Sequence, residues 1–341
     1  MNNFFNTLLA LTSSNPYLIL EITTSSPNET ITLPHLSGYT YNYIVDYGDG
    51  TMNRVTSYND IDTSHTYLNQ GTYKIKIAGI CETFYVNGSG TIMSTINKVL
   101  NWGNVGLKRI NFNGCSNLNS IVSPNTTSLS NVINFKETFA NCTSLTTIPT
   151  DIFKYTTGMT TDAFNATFSG CTLLQSGITS DLFKYNTLIT TNAFENTFNN
   201  CISLLEIPQD LFKYNTGITS SAFNSTFKNC TSIIEIPQDL FKYNTNVTFS
   251  GFTSTFEGCT SIIEIPQDLF KYNTLVSSMG FNSTFKNCNN LTTVYDGVFK
   301  YNTLVTNSGF SQTFYECTNL RLTQWMFCDD GDEPIRFSGT T

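Results

Sequence analysis

Apolar and polar positions between residues 135 and 320 recur in one block: Phe, two variable residues, Thr-Phe, two more, then Cys. Phe223-Thr226-Phe227-Cys230, Phe252-Thr255-Phe256-Cys259 and Phe281-Thr284-Phe285-Cys288 are its clearest copies. The cysteines at 115, 142, 171, 201, 230, 259, 288 and 317 lie 27, 29, 30, 29, 29, 29 and 29 residues apart. A period that constant predicts a solenoid, because each unit must offer its neighbour the same face. Within a unit the two Phe and the Cys fall at i, i+4 and i+7, the spacing of one helical face. The run that follows, such as Ile262 to Pro266, is short, β-branched and closed by Pro, which predicts a strand. Strands of successive units are expected to stack about 4.8 Å apart into a parallel sheet, roughly 40 Å long over eight units.

Upstream the pattern changes. Phe4, Phe5, Leu8, Leu9 and Leu11 crowd one side of a predicted helix over residues 1–15, which Asn15-Pro16 ends. From 16 to 82 short β-rich runs alternate with turns: Leu18 to Ile22, Thr30 to Leu33, Tyr41 to Val45 and Thr72 to Ile77. Their spacing predicts a small antiparallel sandwich. Residues 83–110 form a junction and first cap, with Trp102 expected to plug the open end of the array. The array occupies 111–320, and 321–341 lose the period, with Trp325, Met326 and Phe327 as a closing cap.

Two resemblances add to this reading. Tyr47-Gly-Asp-Gly50, His65-Thr-Tyr67 and Gly71-Thr-Tyr73 match the PKD family of immunoglobulin-like domains in order and spacing, with Tyr47 where Trp or Phe is usual. The segment resembles that family over residues 17–82, which implies a spacer or adhesive module. Phe139-Ala-Asn-Cys-Thr-Ser-Leu145 with Ile148-Pro149, and Phe227-Lys-Asn-Cys-Thr-Ser-Ile233 with Ile236-Pro237, resemble BspA-type leucine-rich repeats. That group implies bacterial surface proteins and phage proteins. The unit here is longer than the common form, because Asp-Leu-Phe-Lys-Tyr-Asn-Thr is inserted. The expected fold is therefore β-rich: an antiparallel PKD-like β-sandwich followed by a leucine-rich-repeat solenoid of parallel β-sheet and short helical turns.

Charge and chemistry narrow the function. Lys plus Arg number 17 against 25 Asp plus Glu, a net −8, so nucleic acid is not an expected partner. No apolar run reaches the roughly 20 residues of a membrane span. The start lacks both a basic residue ahead of its apolar patch and a small-residue cleavage site, so no cleaved signal peptide is expected. Eight of the ten cysteines hold one repeat position and read as buried free thiols, while Cys81 and Cys328 could pair only if the fold joins them. With His35 and His65 the only histidines and no Cys-x-x-Cys, no metal or cofactor is expected. Asp46 and Asp49 read as turn-capping carboxylates, with calcium ligation the alternative, and Asp329 to Glu333 as a solvated turn lacking calcium-loop spacing.

No nucleophile has a motif-level partner, so an enzyme is not expected. The candidate binding surface is the row Thr147, Glu206, Glu235, Glu264 and Thr293, one residue per unit at the same strand position. Carboxylates about 5 Å apart repel unless a cationic partner relieves them. Asp151, Asp181, Asp210, Asp239 and Asp268 each precede a Lys by three residues and are expected to screen it. The tyrosines that follow those lysines are expected to stack between units. The function these features imply is a non-enzymatic structural or adhesive binding protein, placed on a virion as a head or tail-fibre component. A bacterial cell-surface adhesin is the alternative, and a glycan-active enzyme the third reading. Protein partners are expected, docked in part through Phe4, Phe5, Leu8, Leu9 and Leu11, with host glycan and a homo-oligomer as further candidates.

Overall fold

The computed structural model describes residues 16–321; the expected N-terminal docking helix, the closing cap, the acidic run and Cys328 lie outside them. The chain is β-rich, and no α-helix forms among the described residues. In order come β1 (Leu18–Thr24), β2 (Glu29–Thr32), β3 (Tyr41–Asp46), β4 (Met52–Val55), β5 (Ser64–Tyr67) and β6 (Gly71–Cys81). Then follow β7 (Thr83–Tyr85), β8 (Ile96–Asn101), β9 (Arg109–Asn111) and β10 (Ser120–Ile121), and far downstream β11 (Glu264–Ile265) and β12 (Thr293–Val294).

The main sheet is mixed, six-stranded, with order β10-β8-β1-β6-β3-β4. Alternation fixes its register. Leu18, Leu20 and Ile22 all face inward on β1, and Leu20 pairs with Ile75 of β6, whose Ile77 pairs with Val45 of β3. β2 and β5 form a separate antiparallel pair that contributes Ile31 and Tyr67 to the core. The Tyr-Gly-Asp-Gly turn is held from several sides. Asp46 accepts from the Gly48 amide at 2.8 Å, Asp49 accepts from Thr51 at 3.0 Å, and His65 Nε2 donates to Asp49 Oδ2 at 2.7 Å. The His65 ring lies on Tyr47 at 4.3 Å, and the Tyr67 hydroxyl donates to the Tyr47 carbonyl at 2.9 Å. Gly48 is required here. Its φ is +84°, and a Cβ would sit 2.8 Å from the Lys74 carbonyl oxygen.

Hydrogen bonding does not stop at residue 82. β8 pairs antiparallel with the outer edge of β1, and β10 continues the sheet parallel to β8. Gly103, at φ +61°, lets the chain pass against the Tyr17 backbone, where any side chain would collide. Trp102 is buried beside it, donates Nε1–H to the Val122 carbonyl at 2.7 Å and meets Phe112 edge-on. From there equivalent rings of successive units stack. Phe139, Phe168, Phe198, Phe227, Phe256, Phe285 and Phe314 form one column, with centroids 5.6–5.8 Å apart and planes within 9°. The first Phe of each block forms a second column, and Phe153 through Phe299, from the inserted Leu-Phe-Lys-Tyr stretch, a third.

Two expectations are corrected. The Phe-Thr-Phe-Cys block is not helical; it is a chain of four-residue turns. Ser221, Ser225 and Asn229, four apart, are all left-handed, with φ between 51° and 59°. The amides of Asn224, Thr226, Lys228 and Cys230 each close a turn onto the carbonyl three residues back. The intervening amides of Phe223, Ser225, Phe227 and Asn229 point outward along the stack to Gly251, Thr253, Thr255 and Glu257 of the next unit, at 2.7–3.0 Å. These turns bury two neighbouring positions in every four, Ala222-Phe223, Thr226-Phe227 and then Cys230, which covers i, i+4 and i+7 as a period of 3.6 does, so the apolar pattern could not separate them.

The second correction follows. The ladder joining units runs along these turns, and no long parallel sheet forms on the Ile-Pro side. Among the described residues, parallel pairing there is confined to β11 with β12 and a single bridge between Thr147 and Ser176. Each Pro ends its extended run after two or three residues and has no N–H to extend a ladder.

Candidate interaction surface

Inside the stack, one polar side chain per column completes each Phe carbonyl. Take Phe194, Phe198 and Phe212: each carbonyl accepts an amide three residues on within its own unit, from Thr197, Cys201 and Asn215. The second lone pair is taken by the following unit. Thr226 Oγ1 donates to Phe194 at 2.9 Å, Cys230 Sγ to Phe198 at 3.1 Å and Asn244 Nδ2 to Phe212 at 3.0 Å. Asn244 Nδ2 also donates to the Asn215 carbonyl at 3.1 Å. Thr, Cys and Asn therefore recur because buried carbonyls need donors, each bond adding about 0.5–1.5 kcal/mol. Burial of three Phe rings per unit contributes about 1.5–3 kcal/mol each before chain entropy is set against it.

The described cysteines are all buried and free, Cys81 among them. Burial pushes the Cys81, Cys115 and Cys171 thiols up to about 12 and those of Cys201, Cys230 and Cys259 well above the ordinary range. A thiol so held is neither a nucleophile nor a metal ligand at neutral pH. Both histidines are likewise engaged. His35 Nδ1–H donates to the Leu33 carbonyl at 3.0 Å, leaving Nε2 to accept from Tyr43 at 2.8 Å, and burial lowers its pKa. Asp46 and Asp49 spend their oxygens on the turn, on Lys76 at 3.3 Å and on His65. Glu195, which sequence reasoning did not single out, is half-buried, and its pKa is raised first by desolvation and then by the charge of Asp162. Its two oxygens accept from Asn165 at 2.9 Å and Asn224 at 3.3 Å in the flanking units.

Outside, two faces carry rows. On the first, Asp181, Asp210, Asp239 and Asp268 lie 3.4–3.5 Å from the lysine three residues on, as their spacing predicts. Asp151 and Lys154 are 3.8 Å apart. The Asp charge raises the pKa of Lys184, Lys242 and Lys271. The tyrosines do not stack on each other. The ammonium groups of Lys154, Lys184, Lys213 and Lys242 bridge them instead: Lys213 Nζ lies 5.9 Å from the Tyr214 centroid and 5.7 Å from that of Tyr243 in the next unit.

On the second face stand the candidate residues. Thr147, Glu206, Glu235 and Glu264 are exposed and Thr293 is partly so, with Glu264 directly opposite Thr293 in the β11–β12 pair. Tyr295 donates to Glu264 Oε2 at 3.2 Å, and the carboxylate charge raises the tyrosine's pKa. Among the described residues no lysine or arginine pairs with Glu206, Glu235 or Glu264, whereas the aspartates of the other face are paired unit by unit. The docking residues Phe4, Phe5, Leu8, Leu9 and Leu11 lie outside the described residues.

Sequence reading missed an aliphatic row alongside. Leu205, Ile234 and Ile263 are 59%, 52% and 50% exposed, one residue before each Glu. The signal was the doubled apolar pair, Leu204-Leu205, Ile233-Ile234 and Ile262-Ile263. Extended backbone alternates its faces, so only the first of each pair can turn inward.

A separate polar cleft of about 520 Å³ lies where the sheet meets the first units, lined by Thr23, Ser25, Glu29, Asn97, Asn117 and Asn119 among others. Its carboxylate is taken by the Ser25 amide at 2.6 Å and by the Ser25 hydroxyl. Among the described residues no cluster of His, Cys, Asp and Glu is placed to hold a metal, and no helix is long and apolar enough to cross a membrane. No known protein family matches this chain, and no curated protein does.

Proposed function

We propose that this chain is a non-enzymatic structural and binding protein in which a PKD-like sandwich carries a solenoid resembling BspA-type leucine-rich repeats. The observation that carries the reading is the unit-to-unit ladder, in which alternate amides of the Phe-Thr-Phe-Cys block bond to the next unit while three Phe columns fill the interior. That arrangement makes a stiff rod whose outer face repeats one chemical motif, which suits display and docking rather than turnover. The sandwich sheet, continued through β8 and β10 into the first units, gives the rod a fixed base.

The thiols favour a virion component over a surface adhesin. Nine free cysteines among the described residues, one per unit from Cys115 to Cys317 plus Cys81, suit a chain that folds in a reducing compartment before joining a particle. The same chain folding during export through an oxidising compartment would risk cross-pairing. Quantitative mass spectrometry on purified particles and on washed cells from the source culture tests the placement. The expected result is a fixed stoichiometry to the particle's other structural chains. Recovery on washed cells and absence from particles would overturn it.

A further inference from the structure

We propose that the polar cleft where the sheet meets the first units binds a neutral saccharide, either a free sugar or the end of a glycan chain. The proposal deepens the non-enzymatic binding role proposed above and rests on it. At about 520 Å³ the cleft falls within the about 300–1,000 Å³ common to small-molecule sites. Separate stretches build its walls: Glu29 opens β2, Asn97 belongs to β8, Asn119 to the first unit and Ser144 to the next. Hydrogen bonds fix these walls against one another. The Asn119 amide donates to the Asn97 carbonyl at 2.9 Å, Asn117 Nδ2 donates to the Ser94 carbonyl at 2.6 Å, and Asn97 Nδ2 donates to Thr23 Oγ1. Glu29 Oε2 accepts from the amides of Ser25 at 2.6 Å and Ser26 at 3.3 Å. A site held in shape before its ligand arrives loses less freedom on binding.

The polar groups left over select the ligand. Among the described residues, Glu29 Oε1, the Oδ1 atoms of Asn97 and Asn117, the Asn119 carboxamide and the Ser144 hydroxyl make no hydrogen bond to protein. Acceptors and donors therefore stand side by side, which suits a hydroxyl group, since it both donates and accepts. No Lys, Arg or His lines the cleft, so a phosphate or sulfate finds no counter-charge there. Its one carboxylate already gives an oxygen to backbone amides, which falls short of the charged oxygen cage that calcium requires. No aromatic or aliphatic side chain lines it, so an apolar ligand gains nothing by entering. A peptide added as a strand needs a free edge, and β1 and β8, which carry Thr23 and Asn97, each lie between two paired neighbours. A compact, uncharged molecule bearing several hydroxyl groups meets every one of these conditions. With no ring to stack on, its affinity rests on hydrogen bonds and should be modest, in the millimolar range.

Saturation-transfer NMR and calorimetry on the full chain test this, with glucose, galactose, mannose and N-acetylglucosamine and short neutral oligomers of each as probes. Inorganic phosphate and calcium chloride serve as charged controls. At least one neutral probe should bind. Asn119→Ala/Ser144→Ala, which removes no hydrogen bond within the protein, should weaken that binding at least tenfold with the urea midpoint unchanged. Ser94→Trp, which fills the cleft from an exposed position, should abolish it. A monosaccharide that binds as tightly as its oligomer identifies a free sugar, and a tighter oligomer identifies a glycan chain; either result supports the proposal. Silence from every neutral probe at millimolar concentration, binding of phosphate or calcium alone, or binding that neither variant moves overturns it. Hydrolysis of a bound oligomer is read separately by product analysis: it supports the cleft as a saccharide site and overturns the non-enzymatic reading on its own.

Discussion

Asn244 offers the sharpest test of the interior. Its side chain is fully buried, its Nδ2 donates to the carbonyls of Phe212 and Asn215, and its Oδ1 has no partner. Asn244→Asp changes one NH₂ to an oxygen and leaves the shape alone. Two donor bonds go, worth about 1–3 kcal/mol together. Two carbonyls then face a carboxylate, so the folded state raises its pKa, by about 3–5 units for full burial. At about 1.4 kcal/mol per unit that adds about 4–7 kcal/mol of destabilisation at neutral pH. The sign is definite. A folded pKa above the unfolded value of about 3.9 leaves the variant closest to wild type below pH 4, where a neutral carboxyl can still donate one bond. The deficit grows as pH rises and levels off above the raised folded pKa. Urea unfolding of both proteins at pH 4 and pH 7 reads the difference, and hydrogen exchange should show fast amides confined to the units around residue 244. A variant as stable as wild type at pH 7, or a deficit independent of pH, would refute the donor role of the Asn column.

Other outcomes follow from the same structure. Gly48→Ala should cost about 1–3 kcal/mol, measured as a lowered urea midpoint, because φ is +84° and the new methyl meets the Lys74 backbone; an unchanged midpoint would contradict the turn described here. The described thiols should react with a disulfide reagent only as the chain unfolds, since burial holds them protonated and covered; rapid labelling of Cys201 or Cys230 in the native protein would refute this. His35 has a folded pKa below its unfolded value of about 6.5. The stability it contributes should be complete above that pH and lost as pH falls toward the folded pKa, a slope that His35→Asn should remove. An identical acid profile for wild type and variant would disprove it.

How much of this was legible beforehand differs from element to element. Alternation in Leu18 to Ile22 and Thr72 to Ile77 was enough to place strands, since a two-residue period admits no other regular structure. The block Phe223-Thr226-Phe227-Cys230 announced that its two Phe and its Cys would be buried, and they are; the burial of Thr226 was not foreseen. Nor did the block announce the backbone that buries them. Spacings of three and four suit a helix and a run of four-residue turns alike. A partial signal was the Ser, Asn, Asp or Gly at most positions equivalent to 221, 225 and 229, although Glu137, Ala166, Met279 and Gln312 take the same left-handed φ.

The candidate site divides in the same way. That Glu206, Glu235 and Glu264 would form an exposed row followed from periodicity, because equivalent residues in stacked units must align. That the row lacks cations among the described residues while the aspartate row has them depends on where lysines from other parts of the unit come to rest. So does the bridging of tyrosines by ammonium groups rather than by each other. A one-dimensional pattern determines which residues turn inward and how often they return, since the apolar positions are written within each unit even though neighbouring units complete their burial. Which donor meets which carbonyl is settled only between units, where residues about 30 positions apart come within 3 Å, as Asn244 does with Phe212. Those contacts have no local signature because the chain between them is free to vary, and only the stacked structure closes them.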